Sequence, residues 1–307
     1  MSLVSLIKGR RGASGFGYAS TAEEVTAGLD LRGKTVLVTG VNSGLGEESA
    51  RVLALRGARI VGAARDLAKA GAACRALGPD AVPVACELSE PASVRAAVDT
   101  LKERGLSFDV LLCNAGIMAL PTREVRYGQE LQFLTNHIGH FLLVTGLLDR
   151  LTPTGRIVML SSAAHTRAPA EGIRFDDPSF ARGGYTPWGA YGQSKLANLL
   201  FARSLAKRLA GTEKTANAVH PGVIATNLGR HMGLAARALF PLAAAIALKS
   251  VPEGAATQCF VATHPSLAKT SGEYFADCNV ASSSSHGRDL AMAERLWTLT
   301  EDIVAKL

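Results

Sequence analysis

A chain of 307 residues with 48% hydrophobic residues and a mean hydropathy of +0.17 has room for one large α/β domain or two small ones around a substantial core. Its formal net charge of +7 is scattered apart from the short run "KGRRG", which argues against a dedicated nucleic-acid surface and leaves room for an anionic cofactor. Cys74, Cys86, Cys113, Cys259 and Cys278 are odd in number and lack C-x-x-C spacing; they exclude a disulfide framework, show no metal site, and read as buried thiols of a reducing cytoplasm.

The opening "MSLVSLIKGRRG" has too short an apolar run for a signal peptide, and residues 1–30 are read as an extension before a single domain over 31–307. "KTVLVTG" predicts a strand, "GEESARVLALRG" a helix, "ARIVGAAR" a strand and "LAKAGAACRAL" a helix. "AVPVACEL" is a third strand, and "PASVRAAVDTLKERG" a helix with Pro91 near its start. The near-continuous apolar run "FDVLLCNAG" is a fourth strand, followed by one long helix through "QELQFLTNHIGHFLLVTGLLDRL" and a strand at "GRIVMLSS". "GAYGQSKLANLLFARSLAKRL" is an amphipathic helix, "TANAVHPG" a strand, and "PEGAATQCFVAT" a helix. A short strand at "GEYFAD" and a C-terminal helix complete the chain.

Strands of this apolar character, alternating with helices, predict a single-domain α/β fold: a doubly wound parallel sheet (Rossmann fold) with helices on both faces. Its ligand crevice lies beyond the C-terminal strand ends, so functional residues should follow strands. The most membrane-like stretch, "GLAARALFPLAAAIALKS", is interrupted by Arg237 and Pro241 and falls short of the roughly 20 apolar residues of a spanning helix. It is read as a buried or substrate-covering helix pair within a lid at about 225–250, with no membrane span; peripheral membrane contact is the alternative.

After the first strand, Gly40, Gly44 and Gly46 follow a G-x-x-x-G-x-G spacing. Small residues there let a tight turn approach a pyrophosphate seated at the positive end of the next helix. The second strand ends at Ala64, where an acid would bind a ribose 2′-hydroxyl; Arg65 follows and can pair with a 2′-phosphate. Counting about 20 residues from the turn reaches Asp66, but that residue lies beyond the strand end. The pattern favours NADP(H) over NAD(H).

Tyr191 and Lys195 share a helix face at i and i+4. A phenol with a pKa near 10 is a poor base at neutrality, and a neighbouring ammonium favours its ionised form. "LSS" puts Ser161 and Ser162 at a strand's C-terminal end, where a hydroxyl could orient a substrate oxygen. His137, His140, His165 and His220 form no metal set and are read as structural or pocket-wall residues.

Taken together, the glycine turn, "CNAG", "SS" and "YGQSK" resemble the short-chain dehydrogenase/reductase superfamily from about Leu31 to the C-terminus. "NHIGHFLL", "SSAAH", "HPGVIATNL" and "GEYFADC" resemble more narrowly its retinol dehydrogenase and WW-domain-oxidoreductase branch. The resemblance implies cofactor contacts from Asn42, Ser43 and Leu45 in the turn, from Glu87 and Leu88 after the third strand, and from Asn114, Ala115 and Gly116. It adds Pro221, Gly222, Val223 and Thr226 beside the nicotinamide and phosphates. Glu87 stands where the family usually carries Asp.

The same resemblance makes Tyr191 the general acid or base and gives Lys195 the nicotinamide ribose. It favours Ser162 over Ser161 as substrate donor, and Asn136 as a helix-bending support for a relay water. The long segment between Ser162 and Tyr191 is expected to form part of a substrate mouth. The expected activity is hydride transfer between nicotinamide and the carbonyl or alcohol of a small, bulky, mostly apolar molecule. A homodimer or tetramer is consistent with the resemblance. A cofactor-binding sensor without turnover is the competing class; a nucleic-acid or membrane-associated module is the third.

Overall fold

The computed structural model describes residues 9–224 and 248–307. In chain order its strands are β1 (Thr35–Thr39), β2 (Arg59–Ala64), β3 (Val82–Ala85), β4 (Phe108–Cys113), β5 (Val125–Arg126), β6 (Gln129–Glu130), β7 (Leu151–Leu160), β8 (Thr215–His220), β9 (Tyr274–Ala276) and β10 (Asn279–Val280). Eight of them form one sheet in the order β10-β9-β8-β7-β4-β1-β2-β3, while β5 and β6 make a separate antiparallel pair. Neighbours from β3 to β9 run parallel, and β10 alone turns back antiparallel on β9.

The helices are α1 (Ala22–Val25), α2 (Gly44–Leu55), α3 (Leu67–Leu77), α4 (Pro91–Glu103), α5 (Gly139–Leu147), α6 (Pro187–Arg208), α7 (Val251–Thr263) and α8 (Leu290–Val304), with shorter helical turns between them. Strand residues alternate between two cores. Leu37, Val61, Leu111, Ile157 and Met159 face α4, α5, α6 and Trp297 of α8. Val36, Val38, Ile60, Val110, Leu112 and Val158 face α1, α2 and α7. Burying both faces explains why these strands read as apolar runs without clean alternation. The doubly wound fold expected from the sequence is the one observed.

Strand order reverses between β1 and β4, which opens a crevice at their C-terminal ends. Three local departures from the sequence reading bear on it. The helix read as continuous from Gln129 begins after β6, with a helical turn at Leu131–Phe133. It passes through a π-helical segment at Leu134–Ile138 and ends in a 3-10 turn. Strand β7 begins at Leu151 rather than Gly155. Most of the apolar stretch within 225–250 lies outside the described residues, as does Thr226. No helix among the described residues is long and apolar enough to cross a membrane.

The described residues before β1, from 9 onward, are built into the body. Ala22 and Val25 are buried in the α2–α7 core, Phe16 meets Phe260 edge-on at 5.6 Å, and Asn279 of β10 accepts from Ser14 N at 3.0 Å.

Candidate active site at the C-terminal sheet edge

The glycine turn is shaped by backbone constraints that only glycine meets. Gly40 has φ +72° and Gly44 φ +57°, the left-handed region. A Cβ on Gly46 would lie 2.2 Å from the Gly40 carbonyl oxygen, so α2 could not start so close to β1 with a larger residue. Nothing stands within 4 Å of a Cβ built on Gly44. Ser43 occupies the N-cap of α2 yet makes no side-chain cap hydrogen bond, leaving the helix start free to receive an anion.

A cleft of about 510 Å³ opens here, lined by Gly40, Asn42, Ser43, Leu45, Ala64, Arg65, Glu87, Leu88 and Asn114 to Gly116 among others. Arg65 is exposed and makes no hydrogen bond or salt bridge among the described residues. Asp66 has another task. Its carboxylate caps α3, accepting from Lys69 N at 2.8 Å and pairing with Lys69 Nζ at 2.7 Å, and it is absent from the cleft lining. These residues fit a dinucleotide: an uncapped helix start and a glycine cradle, with the Arg65 guanidinium exposed just after the strand end.

Glu87 is less open to a ligand than the sequence suggests. Its Oε1 accepts from Ser89 N at 3.1 Å and Ser89 Oγ at 2.9 Å. Leu88 is buried, and its carbonyl oxygen lies 2.3 Å from where a Cβ on Gly139 would stand. That glycine lets the helix carrying Asn136 pass against the end of β3.

Asn114 is held by a buried polar chain. Thr39 Oγ1 accepts from Asn114 N at 2.9 Å and Ala115 N at 3.0 Å, while Asn114 Nδ2 donates to Thr39 O at 2.9 Å. The same hydroxyl lies 3.0 Å from His140 Nε2, and His140 Nδ1 lies 2.9 Å from the Asn136 carbonyl oxygen. A carbonyl only accepts, so Nδ1 carries the proton and Nε2 receives the Thr39 hydroxyl. Burial pushes His140 down to about 4, which keeps this neutral tautomer. Gln258 of α7 donates to Ser49 Oγ at 2.6 Å and approaches Leu45 O and Asn114 Oδ1 at 3.3 and 3.2 Å, tying α7 to the glycine turn.

The first cleft shares Leu45, Asn114, Gly116, Ile117 and Leu160 with a second compartment of about 600 Å³ over the ends of β4, β7 and β8. Ser162, Tyr191 and Lys195 all line it. Helix α6 starts at Pro187 after a Thr186 cap and carries Tyr191, Ser194, Lys195 and Asn198 at helical spacing on one face. A Cβ on Gly192 would lie 2.6 Å from Ala168 N and 2.7 Å from Ala164 O, so glycine there allows the 3-10 turn Ala163–Arg167 to pack on α6. That close packing brings Ser162 to Tyr191.

Burial pushes the Tyr191 phenol up to about 12, opposed by a hydrogen bond with Ser162. Burial pulls Lys195 down to about 8, and its Nζ donates to Leu160 O at 2.9 Å. Asn198 Nδ2 donates to the same carbonyl at 3.0 Å. The ammonium lies 5.7 Å from the Tyr191 ring centre. A Cβ on Gly116 would stand 3.4 Å from Nζ, so the small residue leaves room beside the ammonium. Ser161 turns inward instead, its Oγ donating to Lys195 O at 2.7 Å.

Asn136 sits in the π-helical segment. Its Oδ1 accepts from Ile117 N at 2.8 Å, and its Nδ2 donates to Ile117 O and Ser194 Oγ, each at 2.9 Å. It therefore joins the loop after β4 to α6. Pro221, Gly222 and Val223 line the far wall with His220, whose Nδ1 accepts from Ala163 N at 3.2 Å.

Sequence reasoning missed Thr39, Gly192 and Gln258 as supports and Met118 as a lining residue, whereas Arg167 and Trp188 fall within the segment expected at the substrate mouth. A lone glutamine inside the apolar run "GAATQCFVA" was a readable signal for the buried tie at Gln258.

A family model described as short chain dehydrogenase matches residues 34–174. The chain is 42% identical over 325 residues to short-chain dehydrogenase TIC 32 A, chloroplastic, of Brassica napus, covering 100% of each protein. It is 39% identical over 297 residues to retinol dehydrogenase 14 of Mus musculus, covering 90% of this chain and 87% of the relative. A solved short chain dehydrogenase from Burkholderia cenocepacia J2315, in complex with NADP, superposes with a TM-score of 0.63 at 27% identity. That match covers 80% of this chain and 96% of the solved one.

Proposed function

We propose that this chain, which belongs to the short-chain dehydrogenase family and lies near its retinol dehydrogenases, is an NADP(H)-dependent reductase of carbonyl groups on bulky, mostly apolar molecules. The observation that carries the reading is the meeting of Ser162, Tyr191 and Lys195 in a compartment continuous with the glycine-turn cleft. Bound NADPH would supply the hydride.

The protein's own part is to hold the carbonyl and deliver a proton. A phenol raised to about 12 is fully protonated at neutral pH, the form that donates to the oxygen of a carbonyl gaining hydride. Ser162 bonds the same phenol and is the candidate second donor to that oxygen. Lys195, lowered to about 8, still carries its proton at neutrality and stabilises the phenolate left behind. The room beside Gly116 leaves Nζ within reach of a ribose hydroxyl, and Asn136 Oδ1 keeps a lone pair for a relay water beside it.

NADP(H) over NAD(H) is supported by Arg65 and by the capping task of Asp66. Met118, Trp188 and Val223, exposed at the compartment mouth, support a bulky apolar substrate. Five free, buried thiols support a reducing, cytoplasmic setting.

The test is NADPH consumption over varied ketones, aldehydes and quinones, with Tyr191→Phe beside the wild type. Loss of the proton donor is expected to lower kcat by about 100-fold to 10,000-fold while NADPH still binds. Substantial turnover by the variant would remove Tyr191 from the acid–base role.

A further inference from the structure

Arg167 ends the 3-10 turn after β7, is exposed, and lines the 600 Å³ compartment. Its guanidinium carbon lies 4.9 Å from the centre of the Trp188 ring, and that indole meets the Tyr191 ring edge-on at 5.9 Å. The cation thus stands one indole away from the phenol. Cation–π contact holds a guanidinium in place without neutralising it.

Among the described residues no carboxylate pairs with this charge. Arg167 makes no hydrogen bond or salt bridge among the described residues, and the compartment's lining contains no Asp or Glu. The other cation in the lining, Lys195, is buried at the inner end and donates to Leu160 O. Trp188 stands between Arg167 and Tyr191, and Met118 and Val223 add exposed apolar surface to the same lining.

We infer that the compartment selects carbonyl substrates bearing a carboxylate at the end of an apolar body, with Arg167 as the residue that determines this specificity. The inner end takes the carbonyl, the body lies along Trp188, and the guanidinium receives the carboxylate through charge-assisted hydrogen bonds. This placement rests on the proposed reading of Tyr191 and Ser162 as the carbonyl site.

The probes are aryl methyl ketones carrying a para alkanoate chain of varied length, each paired with its methyl ester. Their affinities for the NADP-loaded protein are measured by calorimetry, and their kcat/KM values with NADPH in parallel. Wild type should favour the best-fitting carboxylate over its ester by about tenfold or more in Kd. In Arg167→Met the ratio should fall to near one, in Arg167→Lys it should be partly kept, and in Arg167→Glu it should invert.

The ratio separates recognition from structural support, because an arginine that only braces Trp188 would weaken acid and ester together. An equal ratio in wild type and Arg167→Met overturns the inference, as does failure of wild type to favour any carboxylate. Absence of turnover with every probe would instead count against the proposed reductase activity, while the calorimetric ratio still decides the role of Arg167.

Discussion

Arg65 stands immediately after β2, where Ala64 lines the cleft with a methyl group instead of a carboxylate. An acid there would repel a 2′-phosphate, whereas a guanidinium can bind it through paired hydrogen bonds. The next residue shows how close the two cofactor readings come: Asp66 is the acid that counting along the sequence reaches, but its oxygens are engaged by Lys69. Arg65→Ala is expected to lower kcat/KM for NADPH by about tenfold or more and to change that for NADH little. Kinetics with both cofactors on wild type and variant check this. An unchanged NADPH-to-NADH ratio would remove Arg65 from phosphate recognition.

Several elements meet at Thr39, the last residue of β1. Its hydroxyl accepts from the backbone that follows β4 and reaches His140, which in turn holds the carbonyl of Asn136. Thr39→Val keeps the shape and removes that oxygen, leaving buried groups without partners. It is expected to cost about 1–3 kcal/mol in denaturant unfolding, with Thr39→Ser retaining most of the stability. A loss no larger in Val than in Ser would place the stability in packing.

This junction also marks how far the sequence could be read. Strands and glycine turn were legible because apolar runs and φ-positive glycines follow from local chemistry, and the face shared by Tyr191 and Lys195 follows from helical spacing. The π-helical segment was not legible as such: Asn136 marked an irregularity, but the extra residue per turn depends on the distant partners Ile117, Ser194 and Thr39. The β5–β6 pair escaped because Gln129 and Glu130 carry no apolar alternation to separate them from the helix they precede. Ser162 could be ranked above Ser161 by resemblance alone; the physical difference is the Ser161 bond to Lys195 O, a contact across 34 positions.

Across the whole molecule, buried His137 and His140 and half-buried His220 share one electrostatic consequence, and buried His165 is shifted in the same direction. His137 packs between Phe133 and Phe201 and pairs with Thr300 of α8, His140 joins β1 to the helix of Asn136, and His220 closes β8. Burial is the leading cause for each, pushing His137 down to about 3 and His140 and His220 down to about 4 from an ordinary 6.5. Near neutrality both folded and unfolded chains keep these rings uncharged. As pH falls below about 6.5 the unfolded chain takes up protons that the folded chain refuses, so their stability contribution is lost progressively through about 4. Asp177, whose carboxyl is held below its ordinary 3.8, acts in the same direction but only in more acidic solution. The acid limb should therefore begin in the histidine range, before the carboxylates contribute. Urea midpoints measured from about pH 7.5 to about pH 4.5 should fall steadily for wild type, and less steeply for His140→Gln, even though the variant starts lower at neutral pH. Parallel curves for the two proteins would show that His140 is not among the groups that set the acid limit of the fold.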